Sequence, residues 1–419
     1  MEKTNKKAIW SWSLYDWANS AYSTTVMAGF FPVFFKTFWS QGTDPLLTTA
    51  RLGTAISVSS LLVALASPTL GAVADLRGYK KLFCMFFMVV GVISCGWMTF
   101  IQPGDWFSAI LAYSVAMMAF NASCVFYDSL LPFIARGKDV DYASSLGYSL
   151  GYLGGGVLFT VNVLMYLKPE LFGLPDGVTG VKLSFTTVAV WWFVFSLPLA
   201  KNVKEPTVAA NKDNILMLTQ KSLRQLKGTL KSLMHNKNML TLLVAYWLYI
   251  DGVYTVMTMA VDYGISLGFA ASDLITALLI TQYIGFPFAL LFGVIAKRFG
   301  CRGPILVCIG IYSVTVILST QMTSPVHFYI LAAVIGMAQG GVQALSRSLF
   351  ARMIDPEASG EYFGLFNLVG KFASIIGPLV VAIGVTVTGN ARASMLGLLI
   401  LFVLGGILLW KVKEPALEN

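Results

Sequence analysis

The sequence predicts an all-α polytopic membrane protein, on three observations. Hydrophobic residues are 57% of the 419 and charged residues only 12%, where a water-soluble domain carries about 25% charge. Uncharged stretches long enough to cross about 30 Å of hydrocarbon recur along the chain, as at 52–74, 82–101, 107–127, 142–167, 274–296 and 372–391. The basic residues gather on alternate connections between such stretches, as they do when loops alternate between two sides of a membrane.

Twelve helices are expected. The first, 10–38, follows the basic start Met1 to Lys7. It begins like a signal peptide, but its apolar part is long, contains Asp16 and shows no small-residue cleavage site, so it is read as a retained span. Next come 46–74, 81–101, 105–135, 142–167 and 181–200, and after a long connection 239–262, 271–296, 303–322, 326–351, 359–388 and 392–410. Residues 303–346 hold no Lys, Arg, Asp or Glu over 44 positions, too many for one span, and Thr323-Ser324-Pro325 divides them. Pro32, Pro68, Pro287 and Pro378 fall inside expected spans, which membrane helices tolerate.

With the N-terminus and alternate loops on one side, 22 of the 29 Lys and Arg fall there, against Lys168, Lys182 and Arg392 on the other. The positive-inside rule then places both termini in the cytoplasm and the chain in the cytoplasmic (inner) membrane. These loops account for the net charge of +9, so no nucleic-acid partner is expected. The five cysteines, Cys84, Cys95, Cys124, Cys301 and Cys308, sit mostly in apolar stretches without disulfide or metal-ligand spacing.

The connection 201–238 separates an N-terminal six-helix bundle, 1–200, from a C-terminal one, 239–419. Within it Leu223, Leu226, Leu230 and Leu233 alternate with Lys221, Arg224, Lys227 and Lys231, the pattern of an amphipathic helix lying on the cytoplasmic membrane surface. Such a helix reads as a tether in contact with membrane lipids or as a docking site for a regulatory partner. The halves end alike, in Lys204-Glu205-Pro206 and Lys413-Glu414-Pro415, and pair Gly71 with Gly293 and Gly147 with Gly364. These matches favour an internal 6+6 repeat.

The loop Gly71-Ala72-Val73-Ala74-Asp75-Leu76-Arg77-Gly78-Tyr79-Lys80-Lys81 resembles the major facilitator signature between helices two and three: Gly, three residues, Asp, Arg, one residue, Gly and two basic residues. Leu14-Tyr15-Asp16-Trp17-Ala18-Asn19-Ser20-Ala21-Tyr22 resembles the hallmark of a narrower group, and the chain is identified as a bacterial member of the Atg22-like transporters of the major facilitator superfamily. The superfamily resemblance covers essentially the whole chain. It implies the major facilitator fold, 12 transmembrane helices in two six-helix pseudo-repeat bundles. Fungal members are vacuolar amino-acid effluxers, while many bacterial members have no assigned substrate.

The resemblance further implies a gating role for Gly71, Asp75, Arg77 and Gly78. Asp75 would meet the end of a helix from the other half, and Arg77 would join a charge cluster holding the inner gate closed. The sequence departs from the pattern at Leu76, where Arg is usual, and at Tyr79. In the second half Gly293-Val294-Ile295-Ala296-Lys297-Arg298-Phe299-Gly300 puts Lys where the acid stands. Loop anchoring alone explains Arg77, Lys80 and Lys81 but not Asp75. The expected fifth helix carries Gly147, Gly151, Gly154, Gly155 and Gly156 without the proline typical of drug-exporting branches, so drug export is not supported.

An ionised side chain at the bilayer centre costs at least about 2.5 kcal/mol on insertion scales, so such residues usually face a cavity or a partner. The expected spans contain Asp16, Asp128, Asp251, Arg347 and Lys371, and Asp251 and Lys371 lie nearest the midplane. Asp251, followed by Gly252 and flanked by phenols including Tyr249, reads as a substrate or proton site or as a structural ion pair. Lys371 shares a helix face with Asn367 and Gly364; it suits a substrate carboxylate or an acid from another helix. Asp16, Asn19 and Tyr22 read as substrate or coupling contacts or as a packing cluster. Asp128 and Arg347 read as inner-gate or ion-pair partners or as substrate contacts. Gln339 and Gln343 make a polar stripe with Arg347, which Gln282 and Asn121 face either across a cavity or through interhelical bonds.

No catalytic constellation competes with transport. The only histidines are His235 and His327, and neither a nucleotide-binding loop nor a metal or cofactor motif is present. The first reading is secondary active transport by a monomer of a small polar solute, an amino acid or related zwitterion, with protons or sodium ions as coupling candidates. A sugar, nucleoside or organic anion is the alternative substrate; a non-transporting membrane scaffold or receptor is the rival class.

Overall fold

Asn5 opens the first helix, its side chain accepting the Ala8 N–H at 3.2 Å, in a computed structural model that describes residues 5–205, 215–266, 268–373, 376–388 and 394–415. Helix α1 is regular over Lys6–Ala21. It then widens to π-type turns over Tyr22–Phe30 and Phe35–Trp39, around a short α-helical turn at Phe31–Phe34. The expected span 10–38 is therefore present but not as one regular helix, and Pro32 supplies the reason. It has no N–H to donate and its ring crowds the preceding turn, so the Phe31 N–H reaches back five residues to the Val26 carbonyl.

The chain continues through α2 (Pro45–Arg77), α3 (Lys80–Trp97), α4 (Trp106–Ser129), α5 (Lys138–Leu167) and α6 (Gly177–Asn202). Helix α7 (Ile215–His235) occupies the connection, and Asn236 separates it from α8 (Lys237–Ser266). Then follow α9 (Ala271–Phe299), α10 (Arg302–Ser319) and α11 (Pro325–Met353). Ser324 caps α11 by accepting from His327 N, so the turn signal that divided 303–346 acts as a helix start.

The expected helix 359–388 is described as α12 (Ser359–Phe372) and α13 (Ile376–Thr388), with residues 374 and 375 outside the described residues. Pro378 follows Ile376 and Gly377, whose N–H groups bond to Asp251 and not to a carbonyl of their own helix. Helix α14 (Leu398–Lys411) ends the fold. Residues 206–214 of the connection, Lys3 and Arg392 lie outside the described residues, as does the beginning of the expected span 392–410. Among the described residues ten helices are long and apolar enough to cross a membrane; the widened first element and the 14-residue α14 are not among them.

Exposure is inverted relative to a water-soluble protein. Ile93, Phe107, Val294, Val307 and Ile400 are exposed, while Asp141, Ser144, Ser149 and Arg347 are buried. Apolar surface of this extent needs hydrocarbon around it, and the buried polar groups then bond to one another. Helix α5 packs against α1, α9 and α11, and α2 packs against α12. Gly71 on α2 has the Gly360 carbonyl so close that a Cβ would overlap it. Gly293 on α9 crosses Ser145 on α5 in the same manner.

The two Lys-Glu-Pro ends make parallel contacts. The Glu205 carboxylate accepts the Lys81 N–H at the start of α3, 3.0 Å, and Lys81 Nζ reaches the Ala200 and Val203 carbonyls. Glu414 accepts the Cys301 and Arg302 N–H groups at the start of α10, 2.7 and 3.1 Å, and the Arg302 guanidinium reaches the Trp410 and Val412 carbonyls. A carboxylate on orphan N–H groups and a cation on orphan carbonyls is favourable at each helix end. Burial pushes the Glu205 carboxyl above its ordinary range, against the pull of the Lys81 N–H.

Candidate functional site

Polar contacts between the first and second parts of the chain concentrate at one end, where α2 stops and α12 starts. Asp75 turns both oxygens to the N-terminus of α12, accepting Gly360 N and Glu361 N at 2.9 Å each. Lys80 Nζ lies 2.6 Å from Asp75 Oδ1, with both side chains buried. The cation on Asp75 is thus Lys80, one of the basic residues Arg77, Lys80 and Lys81 of that loop, while Arg77 stands over the Tyr79 ring at 6.0 Å. Gly78 takes a positive φ of 66°, which lets the chain turn from α2 into α3. At the same end Lys297 pairs with Asp139 at 3.1 Å, and Arg352 reaches Asp141 at 3.3 Å and Glu414 at 2.9 Å. Ser348 also donates to Asp141.

Deeper in the molecule, Arg347 on α11 is enclosed by groups from α1, α4 and α5. Its Nη1 lies 2.9 Å from Asp128 Oδ1 and its Nη2 3.3 Å from Asp16 Oδ2. Its Nε donates to Ser144 Oγ and its Nη2 to the Ser144 carbonyl, both at 2.9 Å. Tyr127 adds a bond to Asp16 Oδ2 at 2.8 Å. The rings of Tyr148, Trp12 and Tyr127 lie 4.3, 4.9 and 5.5 Å from the guanidinium carbon. A planar five-donor cation is suited to two carboxylates and a serine at once. Gly147 makes room for it, since a Cβ there would stand 2.5 Å from Asp16 Oδ2 and 3.1 Å from Arg347 Nη2.

Lys371, at the end of α12, bonds through Nζ to Asn121 Oδ1 on α4 at 2.7 Å, and no carboxylate of the described residues pairs with it. Cys124, one turn beyond Asn121, sits within electrostatic reach of Lys371, Asp16 and Asp128, so the lysine and the Arg347 cluster border one interior region. Asp251 does not pair with Lys371. Its carboxylate caps α13, accepting Ile376 N at 3.0 Å and Gly377 N at 2.9 Å, with Thr255 Oγ1 at 3.3 Å. The two backbone N–H groups directed at it offset a charge without any side-chain cation.

The remaining expected positions divide. Gln282 on α9 donates to Thr24 at 3.1 Å, and Tyr152 on α5 donates to Gln343 on α11 at 3.3 Å, so these polar groups bond between helices. Gln339 is buried on the same α11 face. Asn19 approaches Cys124 Sγ at 3.7 Å, and Tyr22 packs against Trp192 and Phe120. Asp16, Asn19 and Tyr22 therefore share a region without side-chain bonds to one another. Tyr249 bonds Ser346 at 2.6 Å inside the second part of the chain, and Asn367 bonds back to the Phe363 carbonyl of its own helix at 3.5 Å. Neither is brought to Asp251 or Lys371 by these bonds. Sequence reasoning missed Ser144, Tyr127 and Tyr148 as partners of Arg347. Serines and tyrosines are inexpensive in a membrane span, so nothing in the local pattern distinguishes them.

A family model described as "Vacuole effluxer Atg22 like" matches residues 4–141 and 138–416. An "Uncharacterized MFS-type transporter YxiO" of Bacillus subtilis is 36% identical over 96% of this chain and 94% of its own length. "Autophagy-related protein 22-2" of Aspergillus oryzae is 24% identical over 64% of this chain and 49% of its own, so the match spans about half of that fungal relative. Among solved structures, the human organic anion transporter MFSD10 (TETRAN) aligns with a TM-score of 0.69 at 17% identity, covering 96% of this chain and 99% of that one. The proton:xylose symporter XylE gives 0.69 at 14% identity, covering 97% and 95%, and FucP in its outward conformation gives 0.70 at 11%, covering 98% of each chain. At these identities the structures show a shared fold.

Proposed function

The chain belongs to the Atg22-like family of the major facilitator superfamily, and from that premise we propose that it carries a small carboxylate-bearing organic anion across the membrane by alternating access. Two six-helix bundles, 1–200 and 239–419, rock about a central site, with the 201–238 connection and both termini on the cytoplasmic side of the inner membrane. The parallel contacts of Glu205 with α3 and of Glu414 with α10 support that division. The bonds of Asp75 to Gly360 and Glu361 and the ion pairs of Arg347, Arg352 and Lys297 join the two halves on one side, which is then a closed cytoplasmic gate.

The observation that carries the substrate class is Lys371. It is a cation in a membrane span whose hydrogen-bond partner is a neutral amide from the opposite half, Asn121 at 2.7 Å. A charge in hydrocarbon is held at a cost of several kcal/mol unless it is paired, and a substrate carboxylate supplies the pair. Arrival of that carboxylate draws on Lys371 of one half and Asn121 of the other, so binding favours approach of the halves and the occluded state. Asp251, which caps α13, is the candidate for a coupling proton. Protonation removes the charge that holds the N–H groups of Ile376 and Gly377.

An amino acid is the second reading, favoured by the surplus of Asp16 and Asp128 over the single charge of Arg347. Thermal shift of the purified protein with matched pairs separates the two: pyruvate against alanine and succinate against aspartate, with xylose as the neutral solute. A ligand at about 100 times its Kd adds about 2.7 kcal/mol of apparent stability. Stabilisation by the acids lacking an amino group, lost in Lys371→Met, supports the anion. Stabilisation by the amino acids alone supports the zwitterion, and a shift with xylose alone defeats both. Flux of the stabilising solute into proteoliposomes then separates a transporter from a receptor.

A further inference from the structure

The connection helix α7 packs against α2 and reaches the start of α12. Thr229 on α7 donates to the Glu361 carboxylate, and Gln225, one turn earlier, also faces Glu361. Glu361 is the residue whose own N–H is held by Asp75. The connection is therefore bonded directly to the helix terminus that closes the Asp75 end.

Around α7 the side chains fall into three stripes. Leu226 and Leu233 face the protein, with Leu233 buried. Next round the helix Leu230 and Met234 are exposed, Met234 by 66%. Beyond them stand Lys227, Lys231 and Arg224, all exposed, and α7 contains no acidic residue. A second apolar stripe flanked by cations suits the boundary between acyl chains and negatively charged headgroups. A water-facing tether has no need of Leu230 and Met234 on its outer side, and an acidic protein would leave that apolar stripe unmatched.

We propose that α7 binds the anionic lipid surface of its own membrane leaflet and, through Thr229 and Glu361, transmits that attachment to the gate, so that anionic lipid favours closure of the Asp75 end. The inference rests on reading that end as a gate. It needs no knowledge of the substrate. Neutralising Arg224, Lys227 and Lys231 weakens attachment on the order of a hundredfold, from roughly fivefold per cation near an anionic surface.

The experiment uses the full chain in nanodiscs of phosphatidylcholine and of equal parts phosphatidylcholine and phosphatidylglycerol. Spin labels on cysteines at Arg136 and Arg298, exposed and one in each half of the chain, report the closed population in a background without native cysteines. A bimane at Met234 reports contact with quencher-bearing lipid. Phosphatidylglycerol is expected to raise both the closed population, several-fold, and the quenching. Arg224→Gln/Lys227→Gln/Lys231→Gln loses both responses, while Thr229→Val keeps the quenching and loses the gate response.

Asp75→Asn serves as an independent reading of the gate. If it opens the labelled end while phosphatidylglycerol changes nothing, the lipid proposal is overturned and the gate stands. If neither treatment moves the labels, both are overturned. A lipid response that survives the triple substitution, or equal closure by polyglutamate in phosphatidylcholine discs, also overturns the assignment of α7 to anionic lipid.

Discussion

Arg347 and Asp128 meet at 2.9 Å across 219 residues of sequence, and the same guanidinium reaches Asp16, 331 residues away, at 3.3 Å. One side chain of α11 thereby ties together α1, α4 and α5. Removing it leaves two buried carboxylates facing each other. Arg347→Met is expected to lower unfolding stability by about 3–5 kcal/mol, the usual consequence of stranding a buried charge. Arg347→Lys should rescue only part of this, because a single ammonium cannot reproduce the fork on Asp16, Asp128 and Ser144. Thermal unfolding of the purified variants checks it; equal stability of Lys and Arg at this position would contradict the geometry.

The gate contact should depend on Lys80 more than on Arg77. Lys80 touches Asp75 at 2.6 Å in a buried pair. Lys80→Met is therefore expected to raise the open population at the Asp75 end as Asp75→Asn does, with Arg77→Met closer to the native protein. Spin-label distances read all three in the same lipid. A larger opening in Arg77→Met than in Lys80→Met would reverse the assignment.

Asp251 and Lys371 bind different partners, so their substitutions should act independently. The stability losses of Asp251→Asn and Lys371→Met are expected to add within about 0.5 kcal/mol in the double variant. Asp251→Ala removes the cap of α13 and should cost about 1 kcal/mol, as helix caps do. Lys371→Met should abolish ligand-induced stabilisation, while Asp251→Asn keeps substrate exchange and loses concentrative uptake. A double variant more stable than either single one would restore a direct Asp251–Lys371 pair.

Gly147 has room for hydrogen only. The extra methyl of Gly147→Ala would lie 2.5 Å from Asp16 Oδ2 and 2.9 Å from the Tyr127 hydroxyl, so the Asp16 carboxylate and the Tyr127 hydroxyl must shift out of the Arg347 cluster. The expected outcome is a loss of about 1–3 kcal/mol, the usual range for overpacking, together with reduced flux. Gly173, whose φ of 67° faces open space, is a control in which backbone strain alone acts. Native stability and flux in Gly147→Ala would show that the cluster is looser than these contacts imply.

The sequence by itself determined the class of the protein, because hydropathy is a local property and each stretch that crosses a bilayer must be apolar along its own length. It also determined which residues are costly there: Asp16, Asp128, Asp251, Arg347 and Lys371 stand out as charges in otherwise apolar runs. The family stretch from Leu14 to Tyr22 was legible for the same reason, as a contiguous run. What only the tertiary structure decided is which charge meets which. Asp251 and Lys371 are both expected near the midplane, yet one accepts the Ile376 and Gly377 N–H groups and the other bonds Asn121. Lys80, and not Arg77, covers Asp75. The bonds of the Ile376 and Gly377 N–H groups to Asp251 of α8, inside the expected helix 359–388, belong to the same group. Partner choice follows from where helices cross and how they rotate about their axes, and a one-dimensional pattern of charges in apolar segments does not contain those angles.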